Sequence, residues 1–112
     1  MSIAVSIDDL PAAISAQIGW CYLLTVSEQG QARVLAIAPQ WDSRRASLRA
    51  EVGRGTAANV SAHPEVSMVW PPAAPDGYSL IADGAATVDG LVVTFRPVTA
   101  VLHRPATTGG AS

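Results

Sequence analysis

The sequence predicts a mainly β protein: a six-stranded antiparallel barrel with a helix in front of it and a short helix after the third strand. Three observations carry this expectation. Six short apolar runs recur with turn signals at regular spacing. Gly30 and the Asp89-Gly90 pair mark tight reversals between runs. Too little helical sequence lies between the runs to build the crossovers of a parallel sheet.

In chain order, "SIDDLPAAISAQIG" opens with Asp8 or Asp9 as a helix cap. Pro11 suits the first turn, Leu10, Ile14 and Ile18 recur at spacings of four, and Gly19 stops the helix. "WCYLLTVS" and "QARVLAIAPQW" follow as a hairpin turning at Glu28, Gln29 and Gly30. Neither run alternates cleanly, so both faces of these strands need a cover, one from the core and one from a helix or a partner chain. "WDSRRAS" is a polar turn into "SLRAEV", the third strand. After an interruption at "GRGTAANVSAHP" come "EVSMVW", the proline-rich loop "PPAAPDG" and "YSLIADGAATV". Gly84 within that last run marks a bulge or a bend, and Pro97 in "LVVTFRPVTAVLHR" marks an edge or a bulge. The tail from about residue 105 is expected to be loose.

Length and composition set the frame. At 112 residues the chain fits a single domain spanning 1–112, with too little material to enclose a large cofactor alone. Hydrophobic residues are 49% and charged residues 14% of the sequence. That excludes disorder and predicts more apolar surface than one small domain covers, hence a homodimer. No apolar run approaches a membrane span, and no basic stretch precedes an apolar block and cleavage site, so the expectation is a cytoplasmic protein without membrane contact. The single cysteine, Cys21, excludes an internal disulfide and reads as a small buried residue.

The charge is unevenly distributed. Five of the seven arginines (Arg33, Arg44, Arg45, Arg49 and Arg54) lie between positions 33 and 54, against Asp42 and Glu51 only. That segment is therefore +3 and the remainder −5, giving the net −2. A local arginine cluster in an acidic chain suits a small anionic ligand and not nucleic acid, which calls for a broad basic face. Arg44 and Arg45 are read here as solvating a turn.

"GRGTAANVSAHP", residues 53–64, is the stretch with most chemistry in it. Gly53 and Gly55 permit close backbone approach or positive φ, and Thr56 is expected to cap a helix through Asn59 and Val60. Backbone N–H groups at a helix start bind phosphate, and Arg54 adds a fork of charged donors. As bare sequence the same residues also describe an ordinary turn and cap.

Helix, hairpin carrying Arg33, third strand, "GRGTAANVSAHPEVSMVW" and "YSLIADGAATV" together resemble the split-barrel flavin-binding family related to pyridoxamine 5′-phosphate oxidase, which includes users of the deazaflavin F420. Asn59 followed by His63-Pro64-Glu65-Val66-Ser67 is similar to that family's N…NP-x-V-S signature. The resemblance spans roughly residues 10 to 100. It implies a homodimeric split barrel with a flavin-type site at the subunit interface and FMN or F420 as cofactor, with haem or biliverdin as second choices. It assigns Arg33, Val34, Ala36 and Ala38 on the second strand to the cofactor, and Arg54, Gly55, Thr56 and Asn59 to the phosphate turn and helix. The chain departs from the family at Gly55 and Thr56, where a basic pair is common.

Trp70, Trp41 and Tyr78 border loops and are weighed as walls for a planar cofactor; Trp70 is included in the cofactor set. His63 reads as a solvated residue at a helix end. His103 reads as structural, with axial haem ligation as its alternative. No His, Cys, Asp and Glu cluster supports a metal, and no nucleophile with a base supports hydrolysis. No side chain stands out as a catalytic acid or base. The function expected is thus a flavin- or F420-dependent oxidoreductase of unspecified substrate. The alternative is a non-catalytic, cofactor- or tetrapyrrole-binding or degenerate split-barrel dimer.

Overall fold

The computed structural model describes residues 1–106. Their element order is β1 (Ser2–Val5), α1 (Leu10–Ser15), β2 (Cys21–Val26), β3 (Ala32–Ile37), β4 (Gln40–Asp42), β5 (Ser47–Glu51), α2 (Arg54–Ala62), β6 (Glu65–Trp70), β7 (Ser79–Asp89) and β8 (Val92–His103). The strands form one antiparallel sheet in the order β3-β2-β6-β7-β8-β5-β4, with β1 added alongside β8. The two strands at the ends of that order, β3 and β4, are consecutive in the chain and joined only by Ala38 and Pro39. The sheet therefore curls until its ends meet through a covalent link, and β3 and β4 together act as one bent barrel strand.

All six strands expected from the sequence are present. The second of them bends at Ala38-Pro39 and is split into β3 and β4, because proline has no N–H to offer the ladder. β1 was not foreseen: "SIAV" is too short for a periodic signal and forms by pairing with the far end of β8, Ser2 opposite His103. The hairpin turns where Gly30 signals it, with φ 83° there and a 2.8 Å bond from Ser27 N–H to Gln31 carbonyl. Gly84 and Pro97 face one another at the single register shift between β7 and β8. A Cβ on Gly84 would lie 2.1 Å from the Arg96 carbonyl oxygen, so only glycine fits the bulge.

α1 is shorter than the periodicity predicts. It stops at Ser15, so Ile18 lies beyond it, and Asp9 occupies the cap position without a side-chain bond. Leu10 is its one fully buried residue and belongs to the hydrophobic core. Gln17, just past the helix, donates to the carbonyls of Tyr78 at 2.9 Å and Pro71 at 3.0 Å, which ties the proline-rich loop to the barrel.

Inside, Leu23, Met68, Trp70, Leu80, Val93 and Phe95 interdigitate with almost no exposure. α2 lies across one end, with Ala57 and Val60 turned inward. The outer face of the sheet is different. Tyr22, Val34 and Val98 are exposed there, beside the half-buried Leu24, Val69 and Ile81. This is the second apolar face that the non-alternating strands foretell. Among the described residues no helix is long and apolar enough to cross a membrane. The expected loose tail falls mainly on residues 107–112, outside those described.

Candidate functional site

α2 is built differently from its expected start. The helix begins at Arg54 and its cap residue is Gly53, extended at φ −79° and ψ 170°, so Thr56 is the third residue of the helix and not its cap. Neither Gly53 nor Gly55 has positive φ; such values occur at Gly30 and Gly90. The first intrahelical bond runs from Ala57 N–H to the Gly53 carbonyl at 3.0 Å. The N–H groups of Arg54, Gly55 and Thr56 therefore precede the helical ladder and have no partner within it. No acidic residue occupies the first turn. A Cβ at either Gly53 or Gly55 would meet nothing within 4 Å, so this helix start opens onto free space.

Asn59 and Arg33 are brought together through Thr25. The Asn59 amide donates to the Thr25 hydroxyl at 3.2 Å, and Thr25 is the cross-strand partner of Arg33. Thr25 is 1% exposed, whereas Arg33 is exposed, so the arginine stands at the barrel end that α2 covers. Asn59 thus has its amide engaged in holding the helix to β2.

Val34 and Ala36 lie on the outer face of β3 with Tyr22 and Leu24 opposite them. β3 is at the end of the strand order, so one of its backbone edges is unpaired over Ala32–Ile37. Ala38 follows at the bend. Trp70 departs from the expected cofactor set. It is 1% exposed and packed in the core, because β6 alternates with Val66, Met68 and Trp70 inward. Tyr78 is also committed, with the Arg104 guanidinium 4.7 Å above its ring.

Two grooves stand out among the described residues. One, of about 670 Å³, lies at the β4–β5 hairpin, and its lining includes Ala38, Gln40, Trp41, Arg44, Arg49 and Glu51. Glu51, in its lining, ends β5 three residues before α2 begins at Arg54. Gln40 and Arg49 are direct register partners, and Trp41 is half-buried. The sequence reading missed Gln40, counted Arg49 in the arginine cluster suited to a small anionic ligand, and gave Arg44 to the turn. A usable signal was present: Arg49 is flanked by Leu48 and Ala50 in a five-residue strand, which fixes its side chain on the opposite face from Leu48.

The other groove, of about 490 Å³, surrounds the bulge on the outer face and is lined by Glu65, Ser67, Asp83 and Thr99. Ser67 donates its hydroxyl to the Asp83 carboxylate. His63 caps the far end of α2 and is exposed, as its position implies. His103 Nδ1 is bonded to the Ser2 hydroxyl at 3.0 Å, which makes it part of the β1–β8 seam. Cys21 is completely buried, and desolvation pushes its thiol up to about 12. Among the described residues no group of three or more His, Cys, Asp or Glu could hold a metal.

A curled antiparallel sheet whose end strands β3 and β4 are linked through the bend at Ala38-Pro39, with a helix following β5 packed on it, is a split-barrel-like fold. Among solved structures it is similar to an F420 reductase (TM-score 0.62, 18% identity, 79% of this chain and 93% of that one). It is also similar to the FAD-binding protein from Mycobacterium smegmatis (TM-score 0.65, 17% identity, 93% of this chain and all of that one). No family model matches the chain. The uncharacterized proteins Mb0449c of Mycobacterium bovis and MT0457 of Mycobacterium tuberculosis are each 31% identical over 119 residues, covering 93% of this chain and 78% of theirs. The chain belongs to the family of these mycobacterial proteins.

Proposed function

We propose that the protein is a flavin- or deazaflavin-dependent oxidoreductase that binds FMN or F420 along β3 and at the start of α2. The observation that carries this reading is the open start of α2, where three backbone N–H groups stand outside the helical ladder, Arg54 is the first helical residue and no acidic residue occupies the first turn. These residues fit a phosphate-bearing planar cofactor: the helix start takes the anion, and the unpaired backbone edge of β3 offers N–H and C=O groups to a ring edge. When bound, such a cofactor supplies hydride transfer to or from a substrate lying on its ring.

The chain's own residues would then bind, orient and exclude water. Arg54 and the N–H groups of Gly55 and Thr56 hold the phosphate, with Arg33 adding charge from the same end of the barrel. Val34, Ala36 and Ala38 are small or branched side chains that let a flat ring lie against β3. Asn59 positions α2 through Thr25. Gly55 and Thr56 replace two cations common in related turns, so the helix dipole and Arg54 carry more of the anion affinity than usual.

A second copy of the chain is the proposed cover for the outer face that exposes Tyr22, Val34 and Val98. Because Val34 belongs both to that face and to the cofactor strand, association would also close the ring site from water. The second reading, a dimer that binds a cofactor or tetrapyrrole without turnover, is favoured by the missing cations of the turn.

The test is a titration with FMN, F420, haem and biliverdin, followed by assay of reduced-cofactor turnover with artificial acceptors. Saturable binding of FMN or F420 at one per subunit with turnover supports the oxidoreductase. Binding without turnover supports the binder, and binding of haem or biliverdin alone redirects the function to tetrapyrrole chemistry.

A further inference from the structure

We infer that two copies of the chain pack outer face to outer face about a two-fold axis running along β7 through Ala85, and that reciprocal ion pairs between Glu65 and Arg96 set this register. The inference rests on the reading above that a second copy covers the outer face, and is independent of which cofactor the chain binds. Side chains alternate along each strand, and the buried Val66, Ala86 and Phe95 point into the core. Their neighbours Glu65, Ala85 and Arg96 are exposed on the opposite face.

The register sets these three in one row. Glu65 pairs with Ala85 and Ala85 with Arg96, so the two charges stand on β6 and β8, each one strand spacing of about 4.8 Å from β7. In a two-fold dimer one patch meets itself, and a residue on one side of the axis meets the residue an equal distance away on the other. An axis along β7 therefore sets Glu65 against Arg96 of the partner subunit and Arg96 against the partner's Glu65, with Ala85 facing its own copy. Moving the axis by half a strand spacing either way sets Ala85 against one of the two charges and separates the other from its mate. Face-to-face sheets keep their strands nearly aligned, as this axis does.

The apolar row fits the same axis. Tyr22, Val69, Ile81, Val101 and Ala4 are successive register partners across β2, β6, β7, β8 and β1. About β7, Ile81 meets its own copy and Val69 meets Val101 of the partner subunit. Tyr22, 39% exposed, meets the partner's Ala4, a large side chain opposite a small one. Asp83 lies in the row between, with Ser67 and Thr99 as its register partners, and the axis sets it against its own copy. The face is hollowed there by the groove of about 490 Å³ at the bulge, and Ser67 donates to the Asp83 carboxylate. The arrangement thus gives the charges opposite signs of effect: Glu65 and Arg96 hold the two copies together, and Asp83 opposes them.

The experiment is sedimentation velocity over a protein concentration series, without and with FMN, on the wild type, E65R, R96E, E65R/R96E, D83N and Y22D, with circular dichroism to verify each fold. The expected result is a wild-type dimer with Kd below about 10 μM, at least about tenfold weaker in E65R, R96E and Y22D. E65R/R96E should return to within about threefold of the wild type, and D83N should dimerise as tightly or more tightly. A folded E65R/R96E no tighter than the single variants, or a weaker D83N, overturns the inference. A dimer that ignores E65R and R96E but dissociates in Y22D keeps the outer face as the interface and overturns the β7 axis. A wild-type monomer at every concentration, or a dimer indifferent to Y22D as well, sinks the second-copy cover with it.

Discussion

The Asn59 side chain on α2 donates a 3.2 Å hydrogen bond to the Thr25 hydroxyl on β2, and Thr25 is 1% exposed. This bond fixes the helix whose first turn is the proposed anion seat. Replacing Asn59 with alanine strips a buried hydroxyl of its partner, which costs about 1–3 kcal/mol. Urea denaturation of N59A should show a lower midpoint with an unchanged m-value. A midpoint equal to the wild type would mean that the contact carries no net stability.

Gly84 faces the Arg96 carbonyl oxygen too closely for any side chain, since a Cβ there would fall at 2.1 Å. G84A must therefore push β7 from β8 at the bulge. The expected loss is about 3 kcal/mol or more, near the upper end for overpacking, because the obstacle is backbone and not a movable side chain. Thermal unfolding of G84A beside G53A measures it, since a Cβ on Gly53 meets nothing.

Two small changes should raise stability. Ala46 has φ 47°, a conformation that disfavours side chains, in the turn before β5. A46G should stabilise by up to about 1 kcal/mol, because strain relief exceeds the added chain entropy. Ser47 next to it is 1% exposed with an unpartnered hydroxyl, so S47A should be neutral or stabilising by about 1 kcal/mol. Calorimetric melting temperatures of the two variants decide both, and a clear drop in either would contradict the reading of this turn.

Cys21 supplies a pH dependence with a definite sign. Its native pKa, raised to about 12 by burial from an ordinary value of 9.0, means that the folded state keeps a proton the unfolded state releases. Stability from this group is fully present below pH 9 and declines from there until the pH passes about 12. The native thiol should also resist alkylating reagents and react only on unfolding. Rapid native-state labelling near pH 8 would refute its burial.

Most of the barrel was legible in the sequence, for reasons that lie in particular residues. Gly30 and Gly90 needed positive φ, and Gly84 and Pro97 announced the bulge, so the turns and the irregularity were both written locally. β1 was not legible, because four residues form a strand only when β8 is there to pair with. The cap of α2 was misplaced by three residues, since Thr56 is a good cap and nothing local says that Gly53 takes that role. Trp70 was assigned to the ligand from its place beside a loop, but the alternation of β6 turned it inward. The pairing of Gln40 with Arg49 joins two strands across a turn, a relationship that only register reveals.

The most direct test of the anion seat is G55D. Aspartate at the second position of α2 has open space and a favourable place against the helix dipole, so folding is preserved or slightly improved. Its carboxylate would occupy and repel at the position proposed for the cofactor phosphate. FMN and F420 titrations of wild type, R54A and G55D should show one site per subunit in the wild type and about tenfold or greater weakening in R54A. In G55D, binding should be lost at an unchanged or higher melting temperature. A G55D protein that binds either cofactor as tightly as the wild type would show that the start of α2 is not where the phosphate sits.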